Sequence, residues 1–264
     1  MTKPVLHFAH ANGIVSACYQ KFFAELATDF EVQYLPVLGG DSRFPIDNNW
    51  VSLTEQVRDS VETRCKTPVI GIGHSMGGMT TFMAAYKYPH LFRGLILLDP
   101  PVMTGMGALT MAAAKIFGMA DRITPAGRSK GRRDVWPSRE AAAKLLRPKG
   151  LFRTFDQQCF DDYIRYGLTD CEEGVCLTVP VTSEVNIFRA TPSNDWSFRK
   201  PIGIPAAMVT GAESPFNAAG FVDVMAKRHR MLQVKTPGQH MFPLEHPLET
   251  AQCVKTVARQ LGLL

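Results

Sequence analysis

The sequence predicts an α/β fold: a mostly parallel central sheet with helices on both faces, and an inserted helical cap. Three observations carry this. Short apolar runs alternate with longer amphipathic stretches along most of the 264 residues. The runs at 69–73 (VIGIG) and 94–98 (GLILL) are apolar on both faces, the pattern of strands buried between two layers of helices. The stretch 101–201 breaks the alternation and is too long for a plain connection.

The elements follow in order. Residues 5–9 (VLHFA) read as a strand. Residues 16–28 read as a helix, with Tyr19, Phe22, Phe23 and Leu26 at helical spacing. A strand is expected at 31–36. A helix is expected at 50–65, its apolar face carried by Val51, Leu53, Val57 and Val61. The strand at 69–73 leads to a turn at Ser75 and a helix at 79–88, and 94–99 is the next strand. Strands at 206–211 and 231–235 flank a helix at 218–229, and a helix at 248–261 closes the pattern.

Residues 101–201 show helix-like pieces separated by Pro and Gly, and no strand is expected there. Met103, Met106, Met111 and Met119 begin the insertion, and Phe152, Phe155, Phe160, Tyr163 and Tyr166 follow. Such side chains suit an adaptable apolar pocket wall, although most are expected in the insertion's own core.

Composition excludes several classes. At 45% hydrophobic and 20% charged, the chain has the makings of a packed core. The net charge of +5 is spread out, with one cluster at Arg128, Lys130, Arg132 and Arg133. That cluster has no interleaved aromatics and no recognised fold motif around it, so it reads as a solvated loop and no nucleic-acid partner is expected. No signal peptide and no apolar span of about 18 residues is found, so a cytoplasmic protein without a membrane partner is expected. The six cysteines are scattered, with only Cys171 and Cys176 close together, and read as reduced thiols rather than zinc ligands or disulfides.

Gly73-His74-Ser75-Met76-Gly77 carries the chemistry. A strand, a one-residue apex and a helix leave the Ser75 hydroxyl exposed above the sheet. A serine is a weak nucleophile until a base lies within hydrogen-bond reach and a carboxylate orients that base. His240, in the loop after the last strand, is the expected base, and His246 is its competitor. His7, His74, His90 and His229 suit structural roles better. An acyl-transfer oxyanion needs two backbone N–H donors. Met76, after the nucleophile, supplies one. The first loop, His10-Ala11-Asn12-Gly13, supplies the other from Asn12, with His10 tying the loop down.

On these residues the chain resembles the α/β-hydrolase fold superfamily of serine esterases, lipases and thioesterases. The resemblance rests on His-Ala-Asn-Gly, Gly-His-Ser-Met-Gly-Gly, the Leu-Leu-Asp strand end, Gly-Ala-Glu-Ser and Gly-Gln-His-Met-Phe. It implies a core of residues 1–100 and 202–264. It also implies a helical cap at 101–201, between the sixth and seventh core strands, that sets substrate choice. Ala11 stands where many relatives have Gly, which keeps a small residue in the oxyanion loop.

The larger departure is at the acid. Many relatives carry it in a Gly-x-x-Asp pattern after the seventh strand, but here the strand ends Gly211-Ala212-Glu213-Ser214. Two carboxylates remain, Asp99 and Glu213. Asp99 is preferred because haloalkane dehalogenase-like relatives place their acid at that strand end. Those relatives also share Asn12 but use an Asp nucleophile, so Ser75 argues against halide displacement and epoxide opening. The expected activity is hydrolysis of a small to medium apolar carboxylic ester through an acyl-enzyme, with no cofactor or metal. A thioesterase, a carbon–carbon bond hydrolase and a cofactor-free perhydrolase are alternatives on the same fold. A catalytically silent ligand-binding protein is the alternative of another class.

Overall fold

A computed structural model describes residues 2–264. Among the described residues, nine strands occur in chain order: β1 Val5–Ala9, β2 Glu31–Tyr34, β3 Val69–His74, β4 Phe92–Leu98, β5 Val135–Trp136, β6 Leu168–Cys171, β7 Gly174–Leu177, β8 Ala206–Gly211 and β9 Leu232–Thr236. Six of them form the main sheet in the order β2-β1-β3-β4-β8-β9, and every neighbouring pair is parallel. The central strands β3 and β8 are buried along their whole length.

Burial on both faces explains the continuous apolar runs. Successive side chains of a strand point to opposite faces. Along β4, Ile96 and Leu98 enter one core with Phe8, Phe22, Ile72 and Val254. Leu95 and Leu97 enter the other with Leu53, Val57, Phe82 and Met208. Helices therefore cover both sides, and strand ends are the open places where a ligand can meet the sheet. The expected core elements are present with small shifts. Residues 16–28 divide into a 3₁₀ turn, Ser16–Tyr19, and the helix Gln20–Leu26. The helix after Ser75 starts at Met76 rather than at 79, because Gly77 and Gly78 hide its start from a propensity reading.

Residues 101–201 leave the main sheet after its fourth strand in chain order and rejoin it at its fifth. The main helices there are Gly105–Ile116, Arg139–Leu146, Gln157–Tyr166 and Val181–Arg189. The insertion is not wholly helical: β5, β7 and β6 form a second, antiparallel sheet. These strands have two to four residues, too short for a period-two pattern to register. Phe152, Phe155, Phe160 and Tyr163 are buried and join the core that holds Phe8 and Phe22. Met111 is buried too, whereas Met106 and Met119 are exposed.

The tightest packing lies where β3 turns into the helix Met76–Lys87. A Cβ on Gly77 would stand 2.1 Å from the Ala9 carbonyl oxygen, and one on Gly73 would stand 2.3 Å from the Gly77 carbonyl oxygen. Only hydrogen fits at either position. Backbone cannot recede as a flexible side chain can, so Gly77→Ala is expected to destabilise the fold by more than about 4 kcal/mol. Urea denaturation of the variant would measure this; a loss below about 1 kcal/mol contradicts the packing argument.

Candidate active site

Three side chains converge at the carboxyl ends of parallel strands. Ser75 follows β3 with φ 55° and ψ −120°, outside the ordinary regions for a non-glycine residue. Its N–H donates to the Leu98 carbonyl on β4 (2.8 Å), and its own carbonyl accepts from Met79 N–H (3.1 Å). Asp99 follows β4, also at positive φ (45°). Its N–H donates to the Val209 carbonyl on β8 (2.8 Å), and it is fully buried. His240 lies in the loop between β9 and the short helix Phe242–Glu245.

His240 bridges the other two. Its Nε2 is 3.0 Å from Ser75 Oγ, and its Nδ1 is 2.6 Å from Asp99 Oδ2. With Nδ1–H donating to the carboxylate, Nε2 is left as the acceptor for the Ser75 hydroxyl. Ser214 Oγ donates to the same Asp99 oxygen at 2.5 Å and accepts from Phe216 N–H at 3.2 Å. The Phe216 ring stands edge-on to the His240 imidazole, with centroids 4.9 Å apart. The serine that occupies the usual acid position thus supports the carboxylate that the neighbouring strand provides.

Glu213 lies outside this chain of contacts. It is exposed, and among the described residues its side chain makes no hydrogen bond to His240. Its N–H donates to the Gly238 carbonyl (3.0 Å). His246 caps the helix Pro247–Gln260, six residues beyond the histidine that meets Ser75.

The first loop packs against the same elbow. Gly77 N–H donates to the His10 carbonyl (3.1 Å). Among the described residues, neither Asn12 N–H nor Met76 N–H donates to a protein acceptor. Met76 opens its helix, where N–H groups have no intrahelical partner. The Asn12 side chain turns to the insertion: its Nδ2 donates to the Glu184 carbonyl (3.0 Å). Glu184 is itself buried, accepts from Ser129 Oγ (2.7 Å) and pairs with Arg132. One member of the basic cluster is therefore ion-paired rather than solvated, and no motif in the sequence signals that pairing.

Buried histidines form the frame. His10 donates from Nδ1 to the Ala11 carbonyl (2.7 Å) and accepts Leu38 N–H at Nε2 (2.6 Å), tying down the first loop. His74 donates from Nε2 to the His240 carbonyl (2.8 Å) and accepts the Tyr19 hydroxyl at Nδ1 (2.8 Å). The residue before Ser75 thus holds the backbone of the histidine that meets it. Burial lowers the pKa of His7 to about 3 and of His10 to about 4, and holds His74 well below the usual imidazole range. Burial also lowers His229 to about 4.

The alpha/beta hydrolase family model matches residues 8–252. The chain belongs to that family. A type I acyl-CoA thioesterase of Penicillium roqueforti is 34% identical over 123 residues, which cover 47% of this chain and 25% of that protein. The matched stretch is thus about a quarter of that relative's length. An abhydrolase domain-containing protein of Alternaria alternata is 33% identical over 108 residues, 41% of this chain and 36% of that protein. The solved E-2-(acetamidomethylene)succinate hydrolase superposes with a TM-score of 0.77 at 17% identity, covering 98% of this chain and 92% of that one. Among the described residues no helix is long and apolar enough to cross a membrane.

Two predictions follow from the geometry of this family member. If Ser75 and His240 hydrolyse esters with Asp99 orienting the imidazole, Asp99→Asn lowers kcat on a chromogenic ester by about 10⁴-fold, since it favours the wrong imidazole tautomer. Glu213→Gln should stay near wild type, and adding Ser214→Asp to Asp99→Asn should recover part of the loss. Equal losses in the Asp99 and Glu213 variants contradict the assignment. The second concerns acid. Unfolded histidines take up protons near 6.5, whereas the buried ones stay neutral down to about 4 or below. The unfolded state therefore binds more protons as pH falls through that window, and stability must fall with it. Urea midpoints at pH 7 and pH 5 (about two units apart) measure this; an equal or higher midpoint at the lower pH contradicts it.

Proposed function

We propose that this chain is a serine hydrolase of apolar acyl esters and thioesters, working through an acyl-enzyme. The observation that carries the reading is the continuous hydrogen-bonded chain from Ser75 Oγ through His240 to Asp99. In this reading His240 takes the Ser75 proton as Oγ attacks the acyl carbonyl. Asp99 orients the imidazole and stabilises its charged form. The N–H groups of Asn12 and Met76 receive the negative oxygen of the tetrahedral intermediate. His240 then protonates the leaving alcohol or thiol. Water, deprotonated by the same imidazole, releases the acid and restores Ser75. Every role falls to a side chain or a backbone amide, so no cofactor enters.

Residues 101–201 serve as a cap in this proposal. The hydrogen bond from Asn12 Nδ2 to the Glu184 carbonyl supports it, because it ties the insertion to the oxyanion loop. Met79 and Met103 share the lining of a cavity of about 10 Å³ that also carries Asn194, Asp195 and His229, too small as it stands for an acyl chain. Met79 is one helical turn beyond Ser75, and Met103 belongs to the insertion. Thioesters stand beside esters because a relative aligned over nearly half of this chain is named an acyl-CoA thioesterase.

A fluorophosphonate probe should label wild type at Ser75 and leave Ser75→Ala unlabelled, and the variant should lose kcat by about 10⁴-fold or more. Equal labelling of both proteins, or none of either, defeats the proposal. Matched esters and thioesters of increasing acyl length would then rank the two substrate classes.

A further inference from the structure

We propose that the outer face of the helix Gly105–Ile116 and the turn after it dock onto an anionic lipid surface. The helix buries Ala108, Met111 and Ala114 against the protein. Its opposite face should then be polar, but it is not. Met106, Leu109, Ile116 and Phe117 are exposed, with Ile116 and Phe117 at 79% and 72%. Met119 and Ile123 extend the patch into the helix Ala120–Ile123, which packs against the first helix. Large exposed apolar side chains are unremarkable singly, but a contiguous cluster marks an interaction surface.

Charge selects the occupant. From 101 to 133 the cations are Lys115, Arg122, Arg128, Lys130, Arg132 and Arg133, and the lone carboxylate is Asp121. Asp121 pairs with Arg189, Arg132 pairs with Glu184, and Lys115 turns inward to Asn48, Asn49 and the Thr191 carbonyl. Arg122, Arg128, Lys130 and Arg133 remain exposed. An apolar stripe followed along the chain by four exposed cations, against one exposed carboxylate at Asp134, complements anionic headgroups over acyl chains. A second copy paired on the same stripe would bring these cations toward their own equivalents. A surface-docked helix needs no spanning segment, which is why a search for spans in the sequence does not find it.

Co-sedimentation tests this with Ser75→Ala, so that binding is read without hydrolysis and independently of the catalytic proposal. The protein should pellet with vesicles of phosphatidylcholine and phosphatidylserine, weakly with phosphatidylcholine alone, and less as salt rises. Ile116→Glu with Phe117→Glu should weaken vesicle binding by at least about tenfold. Its circular dichroism should be unchanged, as should hydrolysis of a water-soluble ester when Ser75 is present. Replacing Arg128 and Lys130 with Gln should cost about fivefold for each cation removed. Absence of vesicle binding, or equal binding by Ile116→Glu/Phe117→Glu, overturns the proposal. A concentration-dependent dimer that this variant abolishes, without vesicle binding, also overturns it and assigns the face to a second copy.

Discussion

The site depends on one steric constraint: three backbone segments pass so close at the Ser75 turn that side chains cannot fit between them. The Ala9 carbonyl lies where a Cβ of Gly77 would be, and the Gly77 carbonyl lies where a Cβ of Gly73 would be. This contact fixes the elbow against β1 and, through Gly77 N–H and the His10 carbonyl, against the first loop. The positive φ of Ser75 is held by that packing, since an isolated serine would relax from it. Free backbone donors at Met76 and Asn12 are a by-product of the same crossing: one opens a helix and the other leaves a strand.

A buried carboxylate is the second demand on the structure. Asp99 is removed from water, and such a group requires partners for its charge. His240 and Ser214 both donate to its Oδ2. Ser214 explains how the β8 end can lack an acid and still matter: a hydroxyl there supports the carboxylate from β4. It also accepts from Phe216 N–H, in the loop whose ring flanks His240. The carboxylate and its support therefore come from neighbouring strands of one sheet.

Much of this was legible in the sequence because the signals are local. The double-sided apolar runs gave the main sheet, and the glycines around Ser75 gave the elbow. His240 could be placed because it follows the last strand. Choosing between Asp99 and Glu213 could not be done locally. They differ by which strand end faces the imidazole, a matter of pairing between β4, β8 and β9. The contacts of Ser214, His74 and Glu184 were hidden for the same reason, since their partners lie far along the chain. The short strands of the insertion escaped because two to four residues carry no readable period. The exposed stripe at 106–117 escaped for the opposite reason: periodicity marks apolar faces and assumes that they are covered.

The hydrogen bond from Ser75 N–H to the Leu98 carbonyl has a mechanical meaning. Leu98 precedes Asp99, so Ser75 and Asp99 sit at the ends of two paired strands, joined by a backbone hydrogen bond. His240 is different. Its carbonyl is anchored by His74, but its ring hangs from a loop and is partly open to solvent. In the proposed reaction, torsion about its own side-chain bonds is the freedom that would carry a proton from Ser75 to the leaving group.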